Sequence, residues 1–225
     1  MSLRTFAILP CTSLLLSWCV GIASASSDHT LLEPEVSREL VELVLANSPA
    51  AQGAFVINED GMAVHTLSGL ICNGGTQELP LTAINIFSRG ANATDVGCEY
   101  SSEGSKVSIY ATLDDGKSLK EHFEYAVAAI KAYTSDIEIT PGIEMPIWPE
   151  AFGQVDTFGL SLTGRMKSGP DAGSWVLQSL RIAKVEDWIL KIRATSPRNE
   201  DNTTESFALV ALIVQVVGMQ ERLQD

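Results

Sequence analysis

Acid–base or nucleophilic catalysis needs a histidine, a carboxylate and a nucleophile that meet, and this sequence offers His29, His65 and His122 for such a site. His65 falls in an alternating apolar segment and His122 beside the apolar stripe of a helix, so each is expected first as a strand or surface histidine. A hydrolase or other enzyme assembled around His65 or His122, with acids from elsewhere in the chain, is the alternative to the principal reading below. Gly159-Leu160-Ser161-Leu162-Thr163-Gly164 has one residue too many for a G-x-S-x-G nucleophile elbow and lies in a strand pattern instead of at a strand-to-helix turn. Asp115-Gly116-Lys117-Ser118 matches only the end of a phosphate-binding loop, because Ala111 stands where that loop needs its first glycine. The sequence has no C-x-x-C, no H-E-x-x-H and no short-spaced cluster of His, Asp and Glu. No metal and no cofactor is expected.

Cations stand out on a chain whose formal net charge is −13 at pH 7. Arg89 sits where Asn85-Ile86-Phe87-Ser88 leads into a polar loop. In Trp188-Ile189-Leu190-Lys191-Ile192-Arg193, a strand puts Trp188, Leu190 and Ile192 on one face and Ile189, Lys191 and Arg193 on the other. Arg89, Lys191 and Arg193 are therefore candidates to contact a carboxylate ligand or a partner. The simpler alternative is pairing with the abundant acids. The acidic balance disfavours nucleic acid and anionic lipid headgroups as partners.

Residues 1–25 carry the parts of a cleavable export signal: Arg4, a mostly apolar run, and the small-x-small Ala23-Ser24-Ala25 before polar Ser26. Pro10, Thr12, Ser13 and Ser17 interrupt the run, which falls short of the ~20 strongly apolar residues of a membrane anchor. Pro10 and Trp18 precede Cys11 and Cys19 and disfavour lipid attachment there. Cleavage leaves residues 26–225 as a single α+β domain, periplasmic or secreted, with no stable membrane insertion expected. It also leaves Cys72 and Cys98 as a pair in an oxidising compartment, where a disulfide is favoured over two separate buried thiols. Loop closure makes that bond worth about 3 kcal/mol. Asn92-Ala93-Thr94 and Asn202-Thr203-Thr204 fit the N-glycosylation pattern, which matters only on a eukaryotic secretory route.

The positioning elements follow from periodicity. Val36, Leu40, Leu43 and Val44 predict a helix from Pro34 to about Asn47. Residues 54–57 and 62–67 read as a hairpin around Asn58-Glu59-Asp60-Gly61, with Leu70-Ile71-Cys72 prolonging its second arm. Strands follow at 84–88, 95–100 and 106–112, the last with Val107, Ile109 and Ala111 on one face and Lys106, Ser108, Tyr110 and Thr112 on the other. Ser118 and Glu121 form a capping box, and Leu119, Phe123, Ala126, Val127, Ile130 and Tyr133 form the stripe of the helix it opens. Residues 134–149 are expected as an irregular or edge segment, and 157–166, 174–183 and 188–195 as a three-stranded meander. A last helix spans about 203–222, with Asn202 as N-cap and Glu205 three residues on. Its apolar run, 207–219, is expected to be heavily buried and too short to span a membrane, with a strand as the alternative for part of it. The fold class is α+β: an antiparallel sheet of hairpins and a C-terminal meander, flanked by N-terminal, central and C-terminal helices.

The segments Asp95-Val96-Gly97-Cys98-Glu99-Tyr100 and Val107-Ser108-Ile109-Tyr110, the capped helix after them, and Trp188-Ile189-Leu190-Lys191-Ile192-Arg193-Ala194-Thr195 together resemble small exported bacterial proteins. The order of elements is similar to the α/β/α sandwich of the photosystem accessory PsbP and Mog1-like group. That resemblance spans most of the chain after the signal. It implies a non-catalytic accessory or binding role, with an unidentified protein or small molecule as partner, and brings no family residue onto a position here.

Overall fold

The computed structural model describes residues 31–88, 93–140, 155–169, 171–198 and 203–223. The expected export signal, His29, Arg89, Asn92, Asn202 and residues 141–149 of the segment expected as irregular or edge lie outside the described residues.

Helix α1 (Pro34–Ala46) starts with proline in its first turn, where no backbone N–H is lost, and ends at Asn47, whose side chain donates to the Leu43 carbonyl at 3.0 Å. The helix lies where the periodicity puts it, but rotated. Val41 and Val44 are buried, whereas Val36 and Leu43 are exposed. Ser37 sets this rotation: its Oγ accepts from the Gly74 N–H at 3.0 Å and lies where a Gly74 side chain would be.

A small sheet follows, with β1 (Phe55–Ile57), β2 (Ala63–His65) and β3 (Ile71–Cys72) in that order and antiparallel. The β1–β2 turn closes as its sequence predicts: Gly61 takes φ +79, and the Asn58 side chain accepts from the Met62 N–H at 2.9 Å. Leu70-Ile71-Cys72 does not prolong β2. Gly69, at φ +73, reverses the chain and makes β3 a third strand.

The larger sheet comprises β4 (Leu81–Ile86), β5 (Asp95–Ser102), β6 (Ser105–Leu113), β7 (Thr134–Thr140), β8 (Thr157–Met166), β9 (Trp175–Val185) and β10 (Trp188–Pro197). Its order is β4-β5-β6-β10-β9-β8-β7, antiparallel throughout. The expected meander β8-β9-β10 is thus joined through the β6–β10 pair to the β4-β5-β6 hairpins. The segment expected as irregular or edge supplies β7, an edge strand with an irregularity between Ser135 and Glu138.

Helices cover opposite faces. α2 (Leu119–Tyr133) opens with the expected capping box and packs on β7, β8 and β9, where Phe123, Ala126 and Val127 surround Ile130, Leu162 and Leu180. Tyr133, expected in that stripe, is exposed. α3 (Thr203–Leu223) packs on β6, β9 and β10 and joins α1 over the larger core, which includes Val107, Ile109, Ala111, Leu190 and Ile192.

Helix α3 departs from the expectation of heavy burial. Ala208, Leu212, Val216 and Met219 are fully buried, but Val210 and Val214 are 58% and 46% exposed. It is also longer than its apolar run: Thr204–Leu223, with mean hydropathy 1.4, is long and apolar enough to cross a membrane by length and composition. The two residues that interrupt the run seat it on β3. The Gln215 amide accepts from the Ile71 N–H at 2.9 Å and donates to the Ile71 carbonyl at 2.5 Å, completing a free strand edge. Gly218 admits the Ile71 side chain, whose Cδ1 would lie 2.6 Å from an added Cβ.

Candidate functional site

The alternation of β6 and β10 sorts chemistry between the two faces of the large sheet. Tyr110 on β6 stands opposite Lys191 on β10, and Arg193 stands opposite Ser108, all on the α2 side. Beside them α2 presents Ala126 and Ala129, and a cavity of about 340 Å3 opens between helix and sheet. Lys191, Arg193, Tyr110, Asp95 and Leu180 contribute from the strands, and Phe87 from just beyond β4. The Phe87 and Tyr110 rings pack with centroids 5.5 Å apart. Gly97 lies beneath them: a Cβ there would stand 2.7 Å from the Ile109 carbonyl oxygen and 2.9 Å from Tyr110 Cδ1.

The two cations differ in how they are held. Arg193 Nη2 donates to Gln178 Oε1 at 2.9 Å, Gln178 Nε2 donates to Thr134 Oγ1 at 2.8 Å, and Thr134 Oγ1 donates to the Ile130 carbonyl at 2.9 Å. This chain ties the guanidinium to the C-terminal turn of α2. Lys191 makes no hydrogen bond or ion pair among the described residues. Burial holds its ammonium below the usual lysine value, and the fields of Asp95 and Asp115 only partly oppose that shift. Burial lowers Arg193 similarly. Asp95 is engaged by Thr112, whose hydroxyl donates to it at 2.9 Å.

The other arginines and lysines near a cavity or cluster are already matched. Trp175 carries the Arg165 and Arg198 guanidinium carbons at 5.4 and 4.9 Å from its ring centroid, beside a second cavity of about 610 Å3 lined by Gly173, Ser174 and Pro197. Arg165 faces Asp136 at 3.7 Å and Arg198 faces Glu138 at 3.8 Å. Pairing with acids, the simpler expectation for a cation here, holds at these positions and not at Lys191.

Among the described residues, His65 and His122 each sit apart from the two cavities described above. His65 is fully buried against Phe55 and Trp188, and its Nδ1 accepts from the Ser68 N–H at 3.2 Å, with Ser68 Oγ at 2.8 Å. Ser68 is fully buried too and receives the Leu70 N–H, so the pair builds the β2–β3 turn. His122 Nε2 lies 3.3 Å from Asp115 Oδ1. Neither of the two cavities contains a histidine.

Sequence spacing missed one cluster with metal-ligand chemistry: Asp114, Asp115 and His122 bring donor atoms within 4.8 Å of one another where β6 runs into α2. Lysines already neutralise it. Lys184 donates to Asp114 at 2.5 Å and holds that carboxyl below its usual value, and Lys117 does the same to Asp115. A divalent cation would have to displace both.

Of the residues singled out in the sequence, Lys191 and Arg193 share one cavity, and Arg89 falls outside the described residues. Cys72 on β3 and Cys98 on β5 meet at disulfide distance, with Cα atoms 5.7 Å apart. Phe87, Tyr110 and Asp95 were not singled out. Tyr110 shares the outward parity of Ser108, which is visible in the sequence, but the β6–β10 pairing that brings it to Lys191 is not.

No family model matches the chain, and no curated protein matches it. Among solved structures the chain is similar to the Ran-binding protein Mog1p of Saccharomyces cerevisiae, at 15% identity over 76% of this chain and 89% of Mog1p, with a TM-score of 0.32. That likeness carries no functional residue across.

Proposed function

We propose that the chain is an exported, non-enzymatic α+β domain of residues 26–225 that binds a protein or small ligand through Lys191 and Arg193 on the α2 side of its sheet. One observation carries this reading. Lys191 is half-buried in a cavity of mixed lining and makes no ion pair among the described residues, on a protein with nearly twice as many acids as bases. Desolvating an ammonium is costly, and the fields of Asp95 and Asp115 offset only part of that cost here. An anionic group brought by a ligand supplies the missing partner. Export is supported by the signal-like N-terminus and by a cysteine pair at bonding distance.

The test compares protein purified from its native envelope or culture fluid with a Lys191→Met variant, using native mass spectrometry. The wild type is expected to carry a bound species that the variant lacks, on a chain whose N-terminus is Ser26. Identical bound species in both proteins would remove Lys191 from the function, and an intact Met1 on the native protein would remove export.

A further inference from the structure

We infer that the cavity between α2 and β10 selects a small monocarboxylate with an apolar body, its carboxylate at Lys191 and Arg193 and its body against Phe87, Tyr110 and Leu180. This rests on the binding role of Lys191 proposed above and adds the ligand class.

Three features of the cavity decide the class. Charge comes first. Two cations and the single carboxylate of Asp95 leave one positive charge to be matched, so a monoanion closes the site near neutrality. A phosphate dianion or a dicarboxylate would set a second negative charge in the same space as Asp95. Geometry comes next. The Arg193 guanidinium is oriented by Gln178, and a planar, forked donor matches a carboxylate in two-point contact, with Lys191 as a mobile point charge beside it.

Surface and size come last. An inorganic anion would leave the Phe87 and Tyr110 rings facing water, whereas an apolar body covers them. A volume of about 340 Å3 lies at the lower end of small-ligand sites, which fits a body of about one aromatic ring.

The experiment titrates the purified mature protein by calorimetry with 3-phenylpropanoate, acetate, succinate and inorganic phosphate, and repeats it on Lys191→Met and Ala126→Phe. Ala126→Phe fills the cavity from the helix side without touching a charge. Thermal melting of both variants is recorded, because Lys191→Met removes a half-buried cation that makes no ion pair among the described residues and is expected to melt no lower than the wild type. The expected result is saturable binding of 3-phenylpropanoate at least tenfold tighter than acetate, succinate or phosphate. Both substitutions should weaken it at least tenfold. If succinate or phosphate binds as tightly, or Ala126→Phe binds unchanged, the ligand class is wrong while the anion-binding role of Lys191 stands. Unchanged binding by Lys191→Met overturns both. No binding of any probe to the folded wild type overturns the ligand class and leaves the role of Lys191 to the bound-species comparison.

Discussion

Arg181 of β9 and Glu205 in the first turn of α3 are 2.7 Å apart with side chains only 2% and 3% exposed. Ser161 of β8 also donates to the Glu205 carboxylate, and Arg181 Nη1 donates to the Leu180 carbonyl at 3.2 Å. Glu205, three residues after the expected N-cap, pins the start of α3 to two strands.

Removing either charge leaves the other buried without the ion pair between them. Arg181→Met or Glu205→Leu alone should lower unfolding free energy by about 3–5 kcal/mol, whereas the double variant should stay within about 2 kcal/mol of the wild type or exceed it. Urea denaturation of the four proteins measures this. Additive losses would mean that the pair is not the buried unit described.

His65 gives a pH dependence whose sign is fixed by burial. Its folded pKa is lowered to about 4 from 6.5, chiefly by desolvation, so the folded state binds fewer protons than the unfolded chain below pH 6.5. Stability should therefore fall as pH drops through that window, by about 3 kcal/mol from this residue at pH 4. His65→Asn keeps an acceptor near Ser68 and loses the titration. Denaturation from pH 7 to 4 should be less steep for the variant, and equal slopes would reject the assignment.

Much of the fold was legible because local signals agreed with tertiary demands. The capping box of Ser118 and Glu121, the Asn58–Gly61 turn and the alternation of β6 each have a local physical cause. What was not legible depends on contacts distant in sequence. The periodicity of α1 allowed two faces, and Ser37 against Gly74 chose between them. Gln215 and Gly218 look like flaws in an apolar run until Ile71 is placed against them. The site divides in the same way. The strand parity of Lys191 and Arg193 was readable, but the partners at their side, Tyr110, Asp95 and α2, come from strand order.

The cysteine pair makes a direct prediction. The two sulfurs belong to different sheets, so a bond between Cys72 and Cys98 ties β3 to β5. Mass measurement of the mature protein without reductant should show two hydrogens fewer than the reduced form. Loss of the bond in a Cys72→Ala, Cys98→Ala variant should cost about 2–5 kcal/mol. Two thiols that alkylate without reductant would reject the bond.

Gly97 offers the sharpest test of how the cavity wall is built. Glycine to alanine in an unstrained backbone usually stabilises by about 0.4–1 kcal/mol, because the unfolded chain loses freedom. Gly97 is not among the glycines with positive φ, so conformation alone favours the alanine. The added Cβ would nevertheless lie 2.7 Å from the Ile109 carbonyl oxygen, 2.9 Å from Tyr110 Cδ1 and 3.3 Å from Phe87 Cε2. The oxygen belongs to the neighbouring strand and cannot step aside without disturbing the β5–β6 ladder, whereas the rings can lift. Overpacking of this kind costs about 1–3 kcal/mol, which outweighs the entropic gain. Gly97→Ala should therefore lower unfolding free energy by about 1–2 kcal/mol and shift the ring resonances of Tyr110 and Phe87 in NMR spectra. A variant at least as stable as the wild type, with those resonances unmoved, would mean that the two rings do not rest on this glycine.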